Sequence, residues 1–256
     1  KQGTLGSGYV LDVDNTNTPI DPSTSADFFG DGSNIATYLF EGNVRDENLN
    51  YNGTTTAITY GAGKFGTSCA TFNGTSSKIS NSTLPVSDSM TVSFWMNKTS
   101  FASAYETYIS LGWDNSGTYK FLSFQRQNLT NTFRLDVGNG GGAGTYIVPL
   151  SVTNTISTDG LWHHYLAIWN KTTNRVTLYK DGIPEYLTTD ISGFSAAGGV
   201  GMNIGWSGYT TDGQTYYANG SIDQVRIFNR ALNNEEALAL YNNCINKYVI
   251  KQEPDA

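Results

Sequence analysis

Gly220-Ser221-Ile222-Asp223-Gln224-Val225-Arg226-Ile227-Phe228-Asn229-Arg230-Ala231-Leu232 is the stretch on which the fold turns. Ser221 to Phe228 alternates polar with β-branched and aromatic residues, the pattern of a strand with one face buried. Asp223 shares parity with Val225 and Ile227, so a core position for those two predicts a core position for its carboxylate. A carboxylate taken out of water must be paired, hydrogen-bonded or metal-bound. A helix is predicted directly after the strand. Asn233 is its cap, Glu236 three residues on closes a capping box, and Leu232 can staple against Ala237. Ala237, Leu240, Tyr241 and Cys244 then fall on one stripe, which predicts a buried position for Cys244.

Upstream of this stretch the chain reads as strand after strand. Ala36–Phe40, Cys69–Phe72, Thr91–Met96, Tyr108–Leu111, Lys120–Phe124, Thr132–Val137, Tyr165–Trp169 and Arg175–Tyr179 are separated by Gly, Asn and Asp. Evenly spaced short strands without intervening helices predict a β-sandwich or barrel. Lys180-Asp181-Gly182 after such a run marks a hairpin, since Asp-Gly supplies the positive φ of a tight turn. The regular strand pattern begins at Ile35. Residues 1–34 carry Gly and Pro breakers and read as an extended arm or linker; residues 35–246 form one all-β domain; residues 247–256 are a polar tail. Lys1 stands where Met would open a complete chain, so a processed form or an excerpt is expected.

Composition excludes several classes. Only 14% of the 256 residues are charged, while 13% are aromatic, which is too apolar for a disordered chain. The net charge of −7 argues against nucleic acid as a partner, because that binding needs a basic footprint. No apolar run approaches the roughly 18–20 residues that span a bilayer, so membrane insertion is not expected. Cys69 and Cys244 are too few for a disulfide framework and leave either one long-range bridge or two buried thiols. His163 and His164 are adjacent in a strand and point to opposite faces, which rules out a shared metal. Neither a Gly-x-Ser-x-Gly elbow nor a phosphate loop occurs. Trp113, Trp206, Tyr209, Tyr216 and Tyr217 lie in loops rich in Gly, Asn and Asp, as stacking platforms for sugars or as anchors of a protein contact.

These stretches together resemble a known family. Phe40-Glu41-Gly42-Asn43 with Asp46, Phe72-Asn73-Gly74-Thr75-Ser76-Ser77, Thr91-Val92-Ser93-Phe94-Trp95, Asp159-Gly160-Leu161-Trp162-His163-His164 and the 220–232 stretch are similar, in order, to the laminin-G-like, concanavalin A-type jelly roll. The resemblance spans about residues 35–245 and implies an antiparallel jelly-roll β-sandwich with one short C-terminal helix. Phe29-Gly30-Asp31-Gly32 and Phe72-Asn73-Gly74-Thr75-Ser76-Ser77 are similar to modules in structural proteins of marine bacteriophages, and related modules occur in secreted bacterial adhesins. Glucanases of this fold carry Glu-x-Asp-x-x-Glu on one strand; this chain has no such run, so no enzyme is expected. In several relatives the aspartate at the position of Asp223 helps hold a structural calcium, and the matching partners here are Glu41 and Gly74. The alternative for Asp223 is simple acceptance of backbone N–H bonds. The resemblance implies a virion decoration or appendage protein, or else a carbohydrate-binding or adhesion module. Its partners would be virion or cell-surface proteins or glycans, within an oligomeric assembly, at a virion surface or outside a cell.

Overall fold

A computed structural model describes residues 3–4, 9–13, 18–19, 26–112, 122–126, 131–138, 146–152, 155–187, 190–196, 200–207, 216–242, 244–245 and 248–252. Three short strands come first: β1 (Gly3–Thr4), β2 (Tyr9–Val13) and β3 (Thr18–Pro19). Next are β4 (Asn34–Tyr38), β5 (Thr54–Thr56), β6 (Thr59–Gly61), β7 (Cys69–Asn73), β8 (Lys78–Pro85) and β9 (Met90–Asn97). β10 (Glu106–Leu111), β11 (Leu122–Arg126), β12 (Phe133–Gly138) and β13 (Tyr146–Val152) follow. β14 (Trp162–Asn170), β15 (Arg175–Lys180), β16 (Ile183–Leu187), β17 (Val200–Ile204) and β18 (Asn219–Phe228) complete the series. The helix α1 (Asn234–Asn242) precedes β19 (Cys244–Ile245) and β20 (Tyr248–Gln252).

Two antiparallel sheets face each other. One runs β13-β12-β11-β10-β17-β8-β5 and the other β16-β15-β14-β9-β18-β7-β6, with β4 also paired to β18. Alternate residues of both sheets, among them Phe94, Phe124, Phe133, Tyr165 and Trp169, fill the space between them, as a jelly roll requires. The outer face of the second sheet is covered as well. Ala237 and Leu240 of α1, with Leu232 and Phe28, pack on Leu166, Ile168, Tyr179 and Phe228. This explains why β14 is buried on both faces.

Local chemistry accounts for several junctions. Asp181 and Gly182 both have positive φ, 50° and 76°, which makes the tight hairpin turn between β15 and β16. Asn233 Oδ1 accepts from Glu236 N at 2.9 Å while Asn233 N donates to Glu236 Oε2 at 2.8 Å, a reciprocal cap for α1. Glu236 also grips Arg230, which reaches Asp31, so cap and entry loop form one unit. The fully buried Asp46 accepts N–H bonds from Thr37, Asn48, Asn50 and Tyr51 and thereby shapes the loop after β4.

Two expectations need correction. β18 contains a bulge: Asp223 pairs with Trp95 and Arg226 with Ser93, so Gln224 and Val225 together face one residue of β9. Gln224 carries the strain at φ 51°. The extra residue reverses the parity, so Ile222, Val225 and Ile227 enter the inter-sheet core and Asp223 goes to the outer face. Cys244 is not on the helix, which ends at Asn242; it opens β19, paired with Pro19. Cys69 is a free buried thiol whose Sγ meets the Ala62 carbonyl at 3.3 Å, and desolvation pushes its pKa up. No helix among the described residues is long and apolar enough to cross a membrane.

Candidate functional site

The site begins at Gly205, where the chain leaves β17. Gly205 N donates to Tyr108 O at 2.8 Å, and Ala218 N donates to Gly205 O at 2.9 Å. Gly205 has φ +80°, and a Cβ there would lie 2.2 Å from the Phe72 ring, so only glycine fits. Trp206 therefore emerges at the edge of the sandwich in a fixed direction. Thr107 N donates to Tyr216 O, and Thr107 forms a parallel bridge with Tyr217, which brings the returning chain to the same place.

The Trp206 and Tyr217 rings lie nearly parallel, with centroids 6.0 Å apart and planes 15° apart. Lys78 Nζ stands 4.2 Å from the Trp206 centroid, a cation–π contact. Tyr216, the preceding residue, packs elsewhere, its ring 5.6 Å from that of Tyr105. Trp206, Tyr216 and Tyr217 are each half-buried at the sandwich edge. Lys78 has no carboxylate partner among the described residues. The half-buried aromatic pair with an ammonium over the indole sets apolar surface beside phenol and ammonium hydrogen-bond donors, a combination suited to a sugar.

Trp206 is thus brought against Tyr217 and Tyr216 against Tyr105, whereas Trp113 and Tyr209 lie outside the described residues. The loop of Trp113 starts at the other end of β17, where Gly112 N donates to Gly201 O. That is five residues from Trp206, about 16 Å along a strand. Tyr105 and Lys78 were missed. Tyr105 arrives through the bridge at Thr107, and Lys78 through the pairing of β8 with β17, neither of which leaves a local sequence signal.

Asp223, Glu41 and Gly74 do not form one ligand set. Asp223 faces the loop after β6 and accepts Lys64 N at 2.7 Å, Phe65 N at 3.2 Å and Gln224 N at 2.8 Å. Desolvation outweighs these bonds and lifts its pKa to about 7, with Glu41 nearby adding to the rise. Glu41 accepts from Thr67 N, Thr67 Oγ1 and Ser68 N. Both carboxylates thus point at N–H and O–H donors, which is a poor fit to a cation. Gly74 sits at the far end of β7, about 16 Å from the level of Asp223 along the strand. Its N–H donates to Ala218 O, and its φ of +75° serves the turn.

His164 is fully buried, with Nε2 2.8 Å from Ser93 Oγ and its ring against Trp95 and Tyr241. Desolvation lowers its pKa to about 3. His163, on the opposite face, is held between Asp181 at 2.7 Å and Asp159 at 3.0 Å.

A two-sheet jelly roll is a fold shared by lectin and viral capsid domains. The chain belongs to the concanavalin A-like lectin/glucanases superfamily, whose family model matches residues 72–237. No curated protein matches it. Among solved structures it is similar to domain 4 of AbnA, an extracellular arabinanase from Geobacillus stearothermophilus, in complex with arabinotriose. The identity is 20%, with 82% of this chain and 98% of that one covered and a TM-score of 0.63. The binding domain of Paraclostridial Mosquitocidal Protein 1 is 15% identical over 81% of this chain and 51% of that one, with a TM-score of 0.61. The Ruminococcus gnavus IT-sialidase CBM40 bound to α2,3 sialyllactose is 14% identical over 61% and 84%, with a TM-score of 0.50. At these identities the likeness is one of fold.

Proposed function

We propose that this chain is a non-enzymatic binding module that holds carbohydrate at the aromatic pair made by Trp206 and Tyr217. The observation that carries the reading is the near-parallel Trp206–Tyr217 pair with Lys78 beside it, held at a sandwich edge by a position only glycine can occupy. The similar solved domains are in keeping with it: two hold a bound saccharide and a third is a binding domain. The buried carboxylates support a non-enzymatic role, because the scaffold uses them. Glu106 is spent on Lys98, Tyr108 and Ala102 N; Asp46 and Asp223 are spent on backbone N–H groups. Glycan-array screening followed by titration of the best hit tests the proposal. Saturable binding should fall at least about tenfold in Trp206→Ala, a loss of about 1.4 kcal/mol. Unchanged affinity in that variant, or an array without hits, would sink it.

A second reading, which rests on the sequence resemblance, is an exposed decoration or appendage protein of a bacteriophage particle. β2 pairs with β20, so the arm and the tail join each other rather than either sandwich sheet. Both readings place the module outside a cell or on a particle surface, where glycans and surface proteins are met.

A further inference from the structure

The helix α1 covers only part of the outer face of its sheet. On that face β14 and β15 set Leu166 opposite Tyr179, Ile168 opposite Thr177 and Asn170 opposite Arg175. The helix packs over the Leu166–Tyr179 end. There Tyr179 OH donates to Asn234 Oδ1 at 2.5 Å. Past that contact the face opens into a cavity of about 560 Å³, within the range of small-ligand sites. Its floor is apolar, made by Ile168, Leu232 and the Tyr179 ring. Its walls are not. Asn170, Asn233 and Asn234 each spend their side-chain oxygen inside the protein, on Thr173 N, Glu236 N and Tyr179 OH. That leaves their three amide NH2 groups as unspent donors among the lining residues. Arg175 and Glu235 also line it, and neither has a hydrogen-bond or ion-pair partner among the described residues.

The lining thus offers many donors, one fork-shaped cation, one acceptor and a flat apolar base. We propose that this cavity binds an acidic sugar residue of the uronic acid type. Its carboxylate takes the Arg175 guanidinium bidentately. Its ring hydroxyls accept from the Asn amides and donate to Glu235, and its C–H face rests on Ile168 and Leu232. A neutral sugar would leave the guanidinium without its matching partner, and a bare inorganic anion would leave the floor and Glu235 unused. The site is separate from the Trp206 plate, which lies at the edge of the sandwich beside β10 and β17.

Isothermal titration of the full chain tests this with digalacturonate, neutral galactobiose and sodium sulfate as probes, on the wild type, Arg175→Gln and Trp206→Ala. Digalacturonate should bind the wild type at least about tenfold more tightly than galactobiose does, and Arg175→Gln should abolish that preference. Trp206→Ala should keep it. Absence of digalacturonate binding, equal binding of the neutral disaccharide, or wild-type affinity in Arg175→Gln overturns the proposal. So does displacement by sulfate at equal concentration, which would mark a site for any small anion. Loss in Trp206→Ala alone would move the acidic sugar to the aromatic plate and overturn it too. The Arg175 side chain is exposed and bonds to no described residue, so the substitution leaves the fold intact. A failure here leaves binding at the Trp206 plate to be judged by its own variant.

Discussion

Asp223 and His164 lie on either side of Trp95 and are perturbed in opposite senses. Burial raises the Asp223 pKa to about 7 from an ordinary 3.8, and lowers that of His164 to about 3 from 6.5. Each shift is linked to stability. The native state holds a proton on Asp223 that the unfolded chain releases, so this contribution is full below pH 4 and lost as pH rises through about 7. The native state keeps His164 neutral, so its contribution is full above pH 6.5 and lost as pH falls toward 3. Both effects reach a few kcal/mol and nearly cancel in the wild type between pH 4 and 6.5. Separating them should expose both slopes. Relative to the wild type, Asp223→Asn is expected to lose stability on acidification from pH 6.5 to 4, and His164→Gln to gain it. Thermal melts at pH 4, 5.5 and 7 read the difference, and parallel profiles for the two variants would refute this assignment. The sequence already marked Asp223 as a carboxylate that must be satisfied. Its face was not legible, because the bulge at Gln224 depends on how β18 meets β9 and β4 and has no local signature.

Elements whose ends are set by local chemistry could be read in advance. The box between Asn233 and Glu236 and the Asp181-Gly182 turn each need only a few consecutive residues. Both carry more than their own element, since α1 covers the outer face and the turn lies against it. A Cβ on Gly182 would stand 2.8 Å from Tyr241 Cδ1, and its φ is +76°. Gly182→Ala should therefore cost about 2 kcal/mol, from the backbone conformation and from displaced helix contacts. Asn233→Ala should cost about 1 kcal/mol through the lost cap. Urea denaturation measures both, and an alanine at 182 that costs less than the one at 233 would contradict the packing of turn against helix. Strands such as β5 and β6 stayed hidden for the converse reason. Thr54–Thr56 and Thr59–Gly61 are exposed edge segments without hydrophobic alternation, and only their pairing to β8 and β7 makes them strands. The aromatic plate divides the same way. Trp206 and Tyr216 stand out as aromatics in polar loops, whereas Lys78 and Tyr105 join them only through the sheet.

At the scale of the whole molecule, packing places the start of the sandwich unit upstream of Ile35. Phe28 is 2% exposed, meets Phe29 edge to face, and has the Arg226 guanidinium over its ring; Phe29 packs on Phe228. The second core therefore includes residues that the strand pattern alone assigns to the arm, because an aromatic pair outside any periodic run gives no sign of what it will cover. Two truncations separate the alternatives. Removing residues 1–25 takes away β1, β2 and β3 and leaves β20 and β19 without partners, yet touches none of the residues in either core cluster. That chain should melt within a few degrees of the full one and bind glycan unchanged. Removing residues 1–30 also deletes Phe28 and Phe29 and exposes the Leu166–Phe228 surface. By analogy with truncation of a buried phenylalanine, it should lose about 3 kcal/mol or more. On a domain of this size such a loss appears as a drop of several degrees in Tm. If the two truncations melted together, Phe28 would contribute nothing and the boundary would return to Ile35. The shorter deletion also addresses the arm. If residues 1–25 attach the module to a particle, their removal abolishes incorporation while the sandwich stays folded. Normal incorporation of that chain would show that residues 1–25 are not the attachment.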